Sequence, residues 1–166
     1  MREQQRLAQS EPNAGAAVRI AMWSGPRNIS TAMMRSWGSR ADTTVVDEPF
    51  YAHYLCQVDV DHPGKAEVLA SQANKWEDVA EYLTGDIPDQ NPIWYQKHMA
   101  QHYLPGMDGP WFGRLRHAFL IRDPRAVVAS FSKVVESPDV RDTGFPQLLE
   151  LFRKAADLTG EAPPVV

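Results

Sequence analysis

The sequence predicts an α/β fold of three layers, a central parallel sheet held between helices. Two observations carry this expectation. Short apolar or β-branched runs alternate with helix-forming segments along the chain. Two of those runs also end on turn chemistry that leads straight into a helix start, the arrangement that places a ligand at the C-terminal ends of parallel strands.

The elements follow in order. Residues 1–16 are polar and read as a flexible N-terminal tail, with one domain over 17–166. Val18-Arg19-Ile20-Ala21-Met22-Trp23 is mostly apolar and stops at Ser-Gly-Pro, which marks a buried strand. A helix over 30–39 follows, with Ala32, Met33, Met34 and Trp37 as its apolar stripe. Thr43-Thr44-Val45-Val46 is the second strand, stopped by Asp47-Glu48-Pro49. Residues 51–64 read as irregular, and 66–83 as helix in one or two pieces. Ile93-Trp94-Tyr95-Gln96 and His117-Ala118-Phe119-Leu120-Ile121 supply the third and fourth strands. Pro124 sits in the first turn of a helix through Val135 with Asp123 as its cap, and a last helix spans 145–158. Ala162–Val166 reads as the entry to a fifth strand, so the domain is expected to lack its C-terminal part.

With 166 residues, 43% hydrophobic and 23% charged, the chain can bury a core of ordinary size. Its formal charge of −4 argues against a nucleic-acid partner, while a small anionic ligand needs only a local cluster of donors. Arginine outnumbers lysine 12 to 5, and guanidinium is the better fork for phosphate or sulfate. Cys56 is the single cysteine, which excludes an intrachain disulfide and a multi-cysteine metal site. No run of 18 apolar residues occurs. A cytoplasmic protein acting on a small molecule away from the membrane is expected, and a homodimer stays open.

Two motifs carry chemistry. At Ser24-Gly25-Pro26-Arg27-Asn28-Ile29-Ser30-Thr31 a buried strand meets a helix start, where backbone N–H groups and the helix dipole favour an anion. Alone, it competes evenly with an ordinary capped turn. It is not the GxxxxGKS or GxxxxGKT nucleotide loop, because the lysine and second glycine are missing. The second motif runs from Arg122, at the end of an apolar strand, to Ser130 in the next helix. Alone, Arg122 reads equally as an ion-pair partner and Ser130 as a packing residue.

Together the two motifs resemble the sulfotransferase family that uses 3′-phosphoadenosine 5′-phosphosulfate. That family's loop, Pro-Lys-Ser-Gly-Thr-Thr, aligns with Pro26-Arg27-Asn28-Ile29-Ser30-Thr31, and its later arginine and serine, eight residues apart, align with Arg122 and Ser130. The resemblance covers about residues 18–135, and Trp23-Ser-Gly-Pro-Arg-Asn and Val46-Asp-Glu-Pro look like a bacterial branch. It implies a P-loop nucleoside-triphosphate-hydrolase-like sheet of the sulfotransferase type. It further implies Gly25, Arg27, Asn28, Ile29, Ser30 and Thr31 on the 5′-phosphosulfate, and Arg122 and Ser130 on the 3′-phosphate. No metal is required by that chemistry. Arg27 stands where the family has lysine, which keeps the charge but removes a proton donor. The family's downstream Arg-Lys-Gly segment is absent from these residues.

Three residues are candidates for the chemical step: Arg27 for charge on the leaving group, and Glu48 or His98 as the base that deprotonates the acceptor. Glu48 follows the second strand, and Asp47-Glu48-Pro49 resembles a base-bearing turn of some branches. Lys97 aligns with a Lys-Thr-His stretch of others, but the histidine position then falls on Met99, so His98 or His102 serves only after a shift of register. His53, His62 and His117 have no matching context. A nucleotide kinase and a non-catalytic nucleotide-binding module are the competing readings.

Overall fold

A computed structural model describes residues 17–58, 64–137 and 139–166 of the chain; the N-terminal tail expected over 1–16 lies outside them. Four strands, β1 (Val18–Ser24), β2 (Thr43–Asp47), β3 (Ile93–Met99) and β4 (Arg116–Leu120), form one sheet in the order β2-β3-β1-β4. Every pairing is parallel, with Trp23 beside His98 and Phe119, and Asp47 beside Lys97.

Period-two alternation gives each strand two buried faces. Ala21, Trp23, Trp94 and Phe119 face one core with α4 (Trp76–Thr84) and α6 (Phe145–Thr159), through Val79, Leu83, Leu148 and Leu151. Met22, Tyr95, Ala118 and Leu120 face the other, where α1 (Ser30–Gly38) lays down Met33, Met34 and Trp37. This is the three-layer α/β/α sandwich the alternation of elements predicts. Residues 164–166 extend the sheet beyond β4: Phe119 and Ile121 donate to the carbonyls of Pro164 and Val166, both at 2.9 Å.

Several local expectations change. Residues 51–57 form α2 (Tyr51–Gln57) rather than irregular chain, because Ala52, His53 and Leu55 make a buried face; residues 59–63 of that stretch lie outside the described part. The helix expected over 66–83 divides into α3 (Lys65–Ser71) and α4. The helix α5 (Pro124–Phe131) stops short of Val135, and its start is as expected: Asp123 accepts from the Arg125 N–H at 2.8 Å. β3 continues through Lys97, His98 and Met99, which the sequence placed after the strand. The polar letters hid the continuation: Lys97 and His98 are both buried.

The sheet order puts β1 at the centre, with the chain leaving it for β2 on one side and arriving at β4 on the other. The crevice over the C-terminal ends of such strands is where this architecture binds ligands.

Candidate active site

The loop after β1 is wound tightly. Arg27 (φ 63°) and Ile29 (φ 54°) both adopt left-handed backbone, uncommon for any side chain and an outlier for β-branched Ile29. Ile29 is the N-cap of α1 and no side chain caps that helix, so the first N–H groups of α1 have no side-chain partner. Arg27 and Ile29 are exposed, whereas Gly25, Asn28 and Ser30 are buried. A β-carbon on Gly25 would run into the carbonyl oxygen of Thr143, so this glycine is fixed by close approach of the 143–144 turn. The Asn28 side chain is turned inward at 1% exposure, and neither of its amide atoms has a partner.

The two sequence motifs meet here. The Arg27 Nε donates to the Ser130 Oγ at 2.9 Å, across 103 residues of sequence. The Arg122 Nη1 donates to the Arg27 carbonyl at 3.1 Å. Neither guanidinium forms an ion pair among the described residues. Exposed, hydrogen-bonded by edges and free of carboxylates, they form an anion-receptive cluster beside an uncapped helix N-terminus.

A second cluster lies at the ends of β2 and β3. The Lys97 ammonium, 3% exposed, stands 2.6 Å from Asp47 Oδ1 and 2.5 Å from Glu48 Oε1. Burial opposes the charge on Lys97, but the two carboxylates outweigh it and raise its pKa. Glu48 has φ 45°, another left-handed non-glycine, and its N–H donates to the Lys97 carbonyl at 2.9 Å. The turn thus bends Glu48 back over β3.

His98 is placed elsewhere. It points into the core, stacked on Trp23 at 4.4 Å and near Phe50 at 5.6 Å, with Nε2 at 3.3 Å from the Gln96 amide oxygen. Burial lowers its pKa to about 3, so the ring is a neutral core group. His102 lies in the 3-10 turn 100–102 after β3, between Tyr51 (5.0 Å) and Tyr54 (4.7 Å), with its Nδ1 buried and unpartnered. Burial first, then the nearby Lys97 charge, pull its pKa to about 3. Sequence reasoning did not single out Thr143, Gly144, Gln101 or Gln147 around this region. Only Gly144, in front of Phe145-Pro146, carries a local signal: it is the left-handed N-cap of α6. An open cavity of about 620 Å³ lies by the C-terminal half of α2, lined by His53, Gln57, Asn74, Trp76 and Leu104, and none of Arg27, Glu48, Arg122 or Ser130 reaches it. Among the described residues no group of three or more His, Cys, Asp or Glu side chains is placed to hold a metal, and no helix is long and apolar enough to cross a membrane.

Comparison with known proteins agrees with this fold. Residues 18–159 match the sulfotransferase domain family. Two curated relatives from Arabidopsis thaliana, branched-chain-amino-acid aminotransferase-like proteins 1 and 2, are 33% identical over 148 residues and 31% identical over 150. Each alignment covers 89% of this chain but 26% of the relative, so the chain spans about a quarter of their length. No solved structure matches. With the family match running from the first strand through the last helix, this chain belongs to the sulfotransferase domain family.

Proposed function

We propose that this domain binds 3′-phosphoadenosine 5′-phosphosulfate and transfers its sulfuryl group to a hydroxyl or amine. The observation that carries the reading is the meeting of Arg27, Arg122 and Ser130 beside the uncapped start of α1. Two guanidiniums without carboxylate partners, a hydroxyl and a row of helix N–H groups suit a ligand with separate anionic ends. The nucleotide supplies an already activated sulfuryl group; the protein's residues bind, orient and move the acceptor proton.

Arg122 and Ser130 take the 3′-phosphate. The backbone of Gly25–Ile29 and the hydroxyls of Ser30 and Thr31 take the 5′ end, the Asn28 side chain being turned away. Arg27 donates to the Ser130 hydroxyl, which holds its guanidinium beside the 3′-phosphate end and within the site where charge develops on the leaving group. Glu48 is the base: it is 28% exposed, held by Lys97, and aimed by a strained turn. His98, sealed between Trp23 and Phe50, is assigned to the core.

Calorimetry with 3′,5′-adenosine bisphosphate tests the reading. The folded protein binds it, and Arg122→Ala weakens binding by about tenfold or more, the scale of a lost charge-assisted hydrogen bond. A folded wild-type protein that does not bind the nucleotide overturns the assignment.

A further inference from the structure

The cavity of about 620 Å³ beside α2 takes no part in the anion cluster, and its size is that of a small-molecule site rather than a packing defect. Three segments wall it: the C-terminal half of α2, the start of α4 and the loop after the 100–102 turn. His53, which neither the anion cluster nor the Lys97 carboxylate pair uses, stands in this wall at 8% exposure. Its Nδ1 lies 3.1 Å from the Asn74 carbonyl, and a carbonyl only accepts, so Nδ1 carries a proton. Nε2 has no partner among the described residues and is not one of their sealed polar atoms, which leaves it open to the cavity. On the neutral ring that nitrogen is an acceptor in want of a donor.

The start of α4 supplies donors. Lys75 is its N-cap and no side chain caps the helix, so its first N–H groups have no side-chain partner. The Trp76 indole N–H is likewise without a partner among the described residues. Gln57 and Asn74 add side-chain amides that both donate and accept. Charge is balanced, because Lys75 is offset by Glu77, which sits in the first turn of α4 and opposes an anion there. The rest of the wall is apolar, with Val58, Leu104, Pro105 and the body of Trp76. A hydroxyl group meets both needs, giving its proton to His53 Nε2 and accepting from an N–H of the α4 start. A carboxylate or phosphate cannot give a proton, an ammonium cannot accept one, and a hydrocarbon does neither. Several hydroxyls on an apolar ring suit a wall that mixes amides with an indole, a leucine and a proline.

We infer that this cavity binds a neutral polyhydroxylated ring, the chemistry of a sugar. The site stands whether or not the domain transfers sulfate. Helix α2 links it to the candidate base: the Tyr51 N–H donates to the Glu48 carbonyl at 2.9 Å, and Gln57 ends the helix about 9 Å further along. The bound ring is therefore either a ligand of its own or the remote end of a longer acceptor, and a transfer assay separates the two.

Titration of the isotope-labelled protein with glucose, galactose, mannose, cellobiose and maltose tests it, followed by nuclear magnetic resonance through the indole N–H signals of the five tryptophans. The Trp76 signal, identified by its loss in Trp76→Phe, is expected to shift with at least one of these sugars. Glucuronate and cyclohexanol, the anionic and the largely apolar analogues, are expected to bind about tenfold more weakly or worse. His53→Phe and Gln57→Ala should each raise the Kd of that sugar about three- to tenfold, the scale of one hydrogen bond. Gln57 is exposed, so its variant carries the test if His53→Phe does not fold. No shift of the Trp76 signal with any of the five sugars, tighter binding of glucuronate or cyclohexanol, or binding indifferent to both variants overturns the inference. With radiolabelled donor, sulfation of the bound sugar with KM alone raised in Gln57→Ala makes it part of the acceptor, and binding without sulfation makes it a separate ligand. Either result upholds the site. Failure of the wild type to bind 3′,5′-adenosine bisphosphate bears on the transfer function alone.

Discussion

The Lys97 ammonium sits 2.5 Å from Glu48 and 2.6 Å from Asp47, one buried cation between two partly exposed carboxylates. The parallel register forces this: Asp47 and Lys97 are direct partners across β2 and β3, and the turn at Glu48 folds its side chain back to the same point. Either carboxylate alone can neutralise Lys97, which has opposite consequences for activity and stability.

Glu48→Gln is therefore expected to lower kcat by about 10²–10⁴-fold, the range for a lost general base, with the fold intact because Asp47 still faces Lys97. Asp47→Asn alone is likewise mild for stability. Together they strand a buried ammonium, and urea titration should show a loss of about 3–5 kcal/mol, far beyond the sum of the single variants. Additive single and double variants would contradict the shared-cation arrangement. The sign in pH follows from the raised pKa: the stability Lys97 contributes is fully present below 10.5 and is lost as pH rises through its higher folded value.

A different pH limb belongs to the core histidines. His117 accepts from the Trp23 indole N–H at 3.0 Å through Nδ1 and donates to the Phe112 carbonyl at 2.8 Å through Nε2, a pattern only the neutral ring satisfies. Burial holds His117 near 4 and His98 and His102 near 3, all below the ordinary 6.5. Below pH 6.5 the unfolded chain binds protons that the folded one refuses, so stability falls as pH drops from 6.5 toward 4. At pH 5 the expected cost is about 1–2 kcal/mol for each histidine. The urea midpoint measured at pH 7 and pH 5 checks this. His98→Phe, which keeps a ring against Trp23, should reduce the slope by about a third. A midpoint flat across this interval would mean that these rings are not buried neutral.

The sheet and the nearness of Arg27, Arg122 and Ser130 were legible because both depend on local signals: apolar runs that end on turn residues, and arginine and hydroxyl side chains at strand-to-helix junctions. Arg27, Arg122 and Ser130 could be paired from sequence by resemblance, and the structure places them within hydrogen-bond reach. What stayed hidden is non-local. Lys97 and His98 read as polar letters after a strand, yet parallel pairing carries β3 past them, sending Lys97 to the β2 carboxylates and His98 into the Trp23 stack. The 141–147 turn gave no chemical motif because it acts through backbone, by lying against Gly25. Helix α2 was hidden by its aromatics, since Tyr51 and Tyr54 serve His102 rather than a helical apolar stripe.

Gly25 gives the last prediction, because it separates loop geometry from general destabilisation. Its backbone lies against Thr143 and Gly144 so closely that a methyl group cannot be accommodated without moving the 143–144 turn. Gly25→Ala is expected to cost about 1–3 kcal/mol, as for overpacking, because the obstacle is a main-chain carbonyl rather than a yielding side-chain tip. The displaced loop also carries Arg27, so contacts to Ser130 and Arg122 are disturbed and 3′,5′-adenosine bisphosphate affinity falls with stability. Gly106→Ala is the control: its φ of +93° makes alanine strained, but nothing lies within 4 Å of the new methyl, and the site is not touched. That variant should lose about 1 kcal/mol and bind nucleotide as the wild type does. If Gly25→Ala loses only what Gly106→Ala loses and binds equally well, the 143–144 turn does not set the shape of the phosphate loop.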